Sequence, residues 1–176
     1  MTYVTDEIRA LIGLKGPVQT ATEPLTQDAL RRFVQAVMED DPSHWDEDEA
    51  HRRYGAGGAV APPLYPMHAF RRPAGTPDPL DLLRDDPDWD GATTGSGIGG
   101  LPPVDLPLER ILNGGVEAEF FALARVGDVI SAQAEYLDIT EREGRSGPMV
   151  MIKVRTTYTN QNGQILTRIT LTVIRR

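Results

Sequence analysis

The residues with chemistry to offer gather between Met38 and Tyr65. Glu39 and His44 stand five positions apart, and a carboxylate with an imidazole at that separation can hold a water and move a proton to or from it. Asp40, Asp41 and Pro42 lie between them, and an acidic, helix-like patch follows from Asp46 to Arg53. The stretch closes on the glycine-loosened apolar run Gly57-Gly58-Ala59-Val60-Ala61, stopped by Pro62-Pro63. Glycine and proline there shape a backbone wall that a substrate can approach closely. The competing reading of Glu39 and His44 is a histidine that caps or packs at a loop, and spacing alone leaves both open.

Several elements must position that stretch. Thr26 is a good helix cap, and Leu30, Phe33, Val34, Val37 and Met38 recur at the spacing of a buried helical stripe. That helix runs straight into Glu39, so its end aims the residues after it. Upstream, residues 1–16 hold a short amphipathic helix over Asp6–Leu14, and Pro17–Glu23 alternates as a strand does. Downstream, Leu64–Arg72 is a short apolar segment with helical character, ended by Pro73. Residues 73–107 are rich in Pro, Gly and Asp and keep no helix or strand period; such a long loop is either a lid or a surface excursion. Strands are expected over Val116–Val126, Val129–Ile139, Met149–Tyr158 and Ile165–Ile174, the last two joined across Asn160-Gln161-Asn162-Gly163. Long antiparallel strands after one or two helices predict a single α+β domain over residues 1–176, with the helical stripe packed on the concave face of the sheet.

Composition narrows the function. Hydrophobic residues make up 40% and charged residues 25%, the balance of an ordinary soluble protein, and a cytoplasmic location is the simplest expectation. No apolar run is long enough to span a bilayer. There is no cysteine, which excludes disulfides, thiolate zinc sites and cysteine nucleophiles. Net charge is −8 with no basic block, so nucleic acid is not an expected partner. Gly95, Gly97 and Gly100 match G-x-G-x-x-G by letter, yet polar Thr93-Thr94 precede and Leu101-Pro102-Pro103 follow, against the strand and helix a dinucleotide site needs. Asp86, Asp88, Asp90 and Gly91 open like a calcium loop, but the closing position holds Gly97 instead of Glu. Asp40, Asp41, His44, Asp46, Asp48 and His51 fit no helical metal spacing, and an acidic helix start explains them. No metal or cofactor is expected.

The segments AVMEDDPSHWDEDEA, GGAVAPPLYP, NGGVEAEFFALARVGDVI and EREGRSGPMVMIKVRTTYTNQNGQIL together resemble the MaoC-like dehydratase family, nearest to its N-terminal, fatty-acid-synthase-type domain, over Pro17–Arg176. The resemblance implies a hot-dog fold, a curved antiparallel sheet wrapped round a central helix. It implies a homodimer or a heterodimer with a second MaoC-like hot-dog subunit, and acyl-CoA or acyl-carrier thioesters as ligands. The implied reaction adds or removes water across a 2,3-enoyl thioester with R stereochemistry. Active members carry G-D-x-N-P-L-H, to which Met38, Glu39, Asp40, Asp41, Pro42, Ser43 and His44 correspond. His44 thus stands at the catalytic imidazole, and Glu39 stands where Asp is expected. The family's A-H-G turn, whose glycine N–H polarises the thioester carbonyl, here reads Ala61-Pro62-Pro63. Pro63 has no N–H to give, and such a donor is worth about 3 kcal/mol of barrier.

Two versions follow from the resemblance. In one, the chain shapes the acyl pocket, with Asp41, Pro62, Pro63, Leu64 and Tyr65 against substrate, while a partner carries the intact motif. In the other, Glu39 and His44 act unaided, with Leu64 N–H or another donor replacing the missing one. A non-enzymatic thioester-binding module is the remaining alternative; a thioesterase would want a carboxylate within Leu64–Arg72, which has none. Arg71 and Arg72 are candidates for CoA phosphates, and residues 73–107 for a roof over bulky acyl groups.

Overall fold

The computed structural model describes residues 2–55, 57–72, 74–78, 81–88, 98–144 and 147–176. Outside them lie Gly95 and Gly97 of the glycine motif, Asp90 and Gly91 of the calcium-loop match, and Arg145 and Ser146 of the family-like run.

Five strands form one wholly antiparallel sheet in the order β1-β3-β4-β5-β2. They are β1 (Gln19–Thr20), β2 (Ile111–Phe120), β3 (Ser131–Gly144), β4 (Gly147–Thr159) and β5 (Ile165–Arg175). Alternation decides which face is dry. Val150, Ile152, Val154, Thr156 and Tyr158 point one way from β4, and the register sets Ile139, Tyr136, Ala134 and Ala132 of β3 beside the last four. Two covers meet on that face. At one end Val4, Ile8 of α1 (Asp6–Arg9) and Leu101, Val104, Leu106 and Leu108 pack on Tyr136, Ile139, Val150 and Ile152. At the other, Leu30 and Val34 of α2 (Gln27–Val37) pack with Ala59, Ala61 and Tyr65 on Ala132, Tyr158, Leu166 and Ile169. Leu30 is completely buried, worth about 1.5–3 kcal/mol for such a side chain.

The expected helices over α2 and over α3 (Glu47–Tyr54) are present, capped by Thr26 Oγ1 and by the Asp46 carboxylate. Elsewhere tertiary contacts shorten what local pattern suggests. Helix α1 stops at Arg9 because the next residues give their backbone to β3: Gly13 N donates to Tyr136 O and Gly16 N to Ala134 O. The strand expected over Pro17–Glu23 is regular only at Gln19–Thr20, although Ala21 N still reaches Ile130 O. Leu64–Arg72 forms a single 3-10 turn, Tyr65–His68. Residues 74–78 and 81–88 hold one exposed helical turn, α4 (Leu82–Asp85), but the end of the long loop is core: Leu101, Val104, Leu106 and Leu108 are buried, and Tyr136 OH donates to Pro102 O. The strand expected to begin at Val116 begins at Ile111 and leaves the ladder after Phe120. Among the described residues no helix is long and apolar enough to cross a membrane.

Candidate active site

Helix α2 ends on Met38, which adopts a left-handed conformation (φ 56°, ψ 38°), and Glu39 N closes the turn on Val34 O at 3.0 Å. L residues other than glycine seldom adopt that backbone, and Met38 occupies the position of the motif's glycine. The reversal sends the chain into a 3-10 turn, Pro42–His44, capped by the Asp41 carboxylate, which accepts from Ser43 N at 2.9 Å.

That turn buries His44, 6% exposed. Its Nδ1 lies 2.7 Å from Val60 O. A carbonyl can only accept, so Nδ1 carries the proton in this contact, and in the neutral ring Nε2 is left as a base. The backbone is tied at the same place: Val60 N donates to Ser43 O at 3.1 Å, and Gln27 Nε2 to His44 O at 3.3 Å. Ser43 is fully buried, and its hydroxyl has no partner among the described residues.

Val60 belongs to a bridge in which Ala61 N donates to Ala124 O at 2.7 Å and Val126 N to Ala59 O at 3.0 Å. The Arg125 guanidinium closes over it, donating to Gly58 O and Tyr54 O. Gly57, at φ 131°, lies against that side chain; a Cβ there would come within 2.8 Å of Arg125 Cδ. The glycines before Val60 therefore admit an arginine that locks α3 and the His44 turn to the sheet.

The carboxylates are placed differently. Glu39 is exposed, and no hydrogen bond or ion pair among the described residues joins it to His44. Asp41 is half-buried and occupied by the Ser43 N–H and by Arg53 Nη1, 3.1 Å from each carboxylate oxygen. The backbone hydrogen bond from Ser43, with Arg53 and His44 adding smaller charge effects, holds its carboxyl below the usual range. Glu49 of α3 is held by Arg52 and Arg53.

Pro62 is buried and Pro63 exposed. Pro63 O accepts from the Thr167 hydroxyl of β5 at 3.0 Å. Tyr65 N donates to Pro62 O at 2.9 Å, whereas Leu64 N–H has no partner among the described residues. Leu64 is 44% exposed, so the first N–H after the two prolines opens on solvent. Tyr65 is buried with its ring edge-on to Phe33, centroids 5.2 Å apart; burial pushes its hydroxyl up, against a smaller opposite pull from Arg71. Arg71 is exposed near Tyr65, while Arg72 is paired with Asp78 at 2.9 Å. Among the described residues no three His, Asp or Glu side chains converge in a way that would hold a metal.

The structure thus brings His44, Asp41 and the 59–65 stretch together and leaves Glu39 outside. Val60, Arg125 and Thr167 were not anticipated. Thr167 was within reach of pattern reasoning: pairing β4 with β5 outward from the turn at 160–163 sets Tyr158 opposite Thr167.

With a curved five-stranded antiparallel sheet and short helices packed on it, this is the hot-dog fold of MaoC-like dehydratases. A profile described as "FAS1-like, dehydratase domain region" matches residues 10–168, and the chain belongs to that family. Solved structures agree on the fold. The ChsH1-ChsH2 complex from Mycobacterium tuberculosis is 18% identical with a TM-score of 0.63, over 92% of this chain and 83% of that one. A MaoC-like dehydratase from Rhodospirillum rubrum is 21% identical with a TM-score of 0.59, over 94% and 93%. The HadBC (3R)-hydroxyacyl-ACP dehydratase complex, also from Mycobacterium tuberculosis, is 18% identical with a TM-score of 0.57, over 93% and 96%. A comparison with curated proteins found no match.

Proposed function

We propose that this chain is a subunit of an (R)-specific enoyl-thioester hydratase, or 3-hydroxyacyl-thioester dehydratase, acting on acyl-CoA or an acyl-carrier thioester. It shapes the acyl pocket and works beside a second hot-dog subunit that carries the intact Asp–His motif and oxyanion N–H. The observation that carries this reading is the Pro62-Pro63 turn: it lacks two N–H groups where the thioester oxygen needs a donor, and Thr167 fastens it by its one carbonyl on offer. Glu39 is exposed, accepts from Asp40 N and makes no bond to His44 among the described residues, which supports the same division of labour. A further support is β2, exposed along all ten residues and, among the described residues, paired with β5 alone, which leaves a long edge for a partner. Two of the similar structures are complexes by description, ChsH1-ChsH2 and HadBC.

One specific pair of observations favours the self-sufficient version: Leu64 N–H has no partner among the described residues, and His44 has Nε2 left over after its bond to Val60. Hydration of crotonyl-CoA and longer enoyl-CoAs by the purified chain decides between them. The subunit reading expects no turnover above background until a partner is added. Robust hydration by the chain alone, abolished by His44→Ala, overturns it.

A further inference from the structure

The open edge of the sheet carries a pattern of its own. Phe121 N donates to Leu166 O at 2.9 Å. Backbone groups alternate sides along an antiparallel strand, so Glu119 and Glu117 also turn theirs toward β5. Val116, Ala118 and Phe120 turn theirs outward, and among the described residues no strand meets them. Side chains alternate as well. Val116, Ala118 and Phe120 share the inner face, and Glu117 and Glu119 share the outer one.

Both glutamates are exposed, and neither has a hydrogen bond or ion pair among the described residues. Arg168 stands directly across from Glu119 in the register, yet its guanidinium lies over the Phe121 ring, 4.9 Å from the centroid. Thr170, across from Glu117, has no charge to offer. Two carboxylates of one sign are thus left unpaired beside an unfilled ladder. The apolar inner face shows that this edge is not simply blunted by charge.

A second copy would pair with the edge about a two-fold axis, antiparallel to it. With the axis at Ala118, the inner face matches well: Val116 meets Phe120 of the copy, and Ala118 meets its own counterpart. On the outer face the same register sets Glu117 against Glu119 of the copy, twice. An axis one residue to either side sets Glu117 or Glu119 against itself. An axis at Val116 runs the ladder into the irregularity between Asn113 and Gly115, and one at Phe120 runs it past the end of β2. Like charges directly opposed weaken a strand pair, and opposite charges strengthen it. The apolar side accepts a hot-dog strand in general, while the charged side penalises this chain's own copy.

Resting on the reading of this chain as one subunit of a hydratase, we propose that β2 selects a different hot-dog chain, one whose edge strand carries Lys or Arg opposite Glu117 and Glu119. A copy of this chain is the weaker partner. Charge reversal makes a probe of the required kind: Glu117→Lys with Glu119→Lys alters exposed side chains only. Sedimentation velocity then measures assembly of wild type alone, the variant alone and an equal mixture, each at low and high salt. At low salt the mixture is expected to associate about tenfold more tightly than either protein alone. That advantage should largely vanish at about 1 M salt, where the screening length falls to about 3 Å. Glu117→Gln with Glu119→Gln, which removes charge without reversing it, should self-associate more tightly than wild type at low salt and equally at high salt. A mixture no tighter than wild type alone, or an advantage that salt leaves untouched, overturns the proposal. So does a set of samples that all remain single chains. The hydratase reading is decided separately, by turnover of enoyl-CoA.

Discussion

The imidazole Nδ1 of His44 lies 2.7 Å from the carbonyl oxygen of Val60, inside the protein and sixteen positions along the chain. This bond joins the turn after α2 to the bridge between 59–61 and 124–126, and fixes which ring nitrogen carries the proton in the neutral ring. The histidine is thus a structural clasp whatever else it does. His44→Ala should cost about 1–3 kcal/mol, since it strands a buried carbonyl and leaves a void. A urea midpoint equal to wild type would show that the clasp bears no weight.

Thr167 is 1% exposed and donates to Pro63 O. Thr167→Val keeps the shape and removes the donor, so the Pro63 carbonyl loses its partner. Stability should fall by about 1–2 kcal/mol. The loosened turn should also reduce affinity for a non-reactive S-alkyl-CoA thioether, measured by calorimetry. Affinity unchanged at reduced stability would separate Pro63 from the ligand path.

Asp41 has its folded carboxyl held low chiefly by the Ser43 backbone hydrogen bond, against an opposing push from burial, with Arg53 and His44 adding the smallest pulls. A depressed folded value means the stabilisation is present above the unfolded value, about 3.9, and is lost as pH falls through the folded one. Asp41→Asn retains a cap for Ser43 N but not the charge. Its stability should therefore depend less steeply on pH below about 4 than wild type, by a fraction of a proton, and match it in slope near neutrality. Parallel acid limbs in denaturant titrations of the two proteins would refute this.

What could be read from residue order divides along physical lines. Helix α2 and strands β4 and β5 were legible because period, cap and turn chemistry agree with tertiary packing there. The short elements were not: α1, β1 and the turn at Tyr65–His68 are cut by hydrogen bonds to β3 or by flanking prolines that no local window weighs. The core role of Val104, Leu106 and Leu108 hides behind Pro102, Pro103 and Pro107, which erase any strand signal while leaving the alternation of buried side chains. In the site, His44 was legible by its place in the motif-like run. Its partner was not, because spacing suggests Glu39 and the fold supplies Val60, a backbone carbonyl that leaves no trace in the sequence.

The edge strand offers the last test. Val116, Ala118 and Phe120 share the face that elsewhere forms the core, opposite Leu171, Ile169 and Thr167, yet Val116 is 57% and Phe120 52% exposed. Their alternation matches a buried strand, so the sequence is patterned for a cover that the described residues do not supply. A second hot-dog domain, from another copy or a different chain, would supply it by docking against this edge. Val116→Lys puts a charge on that face without disturbing anything the single chain buries, so at dilutions where wild type is also a single chain its unfolding free energy should stay within about 0.5 kcal/mol of wild type. Light scattering should find wild type at the mass of two domains and Val116→Lys at one. Equal masses for both would place the partner elsewhere, and a wild type that remains a single chain at high concentration would leave only a different subunit to fill the edge.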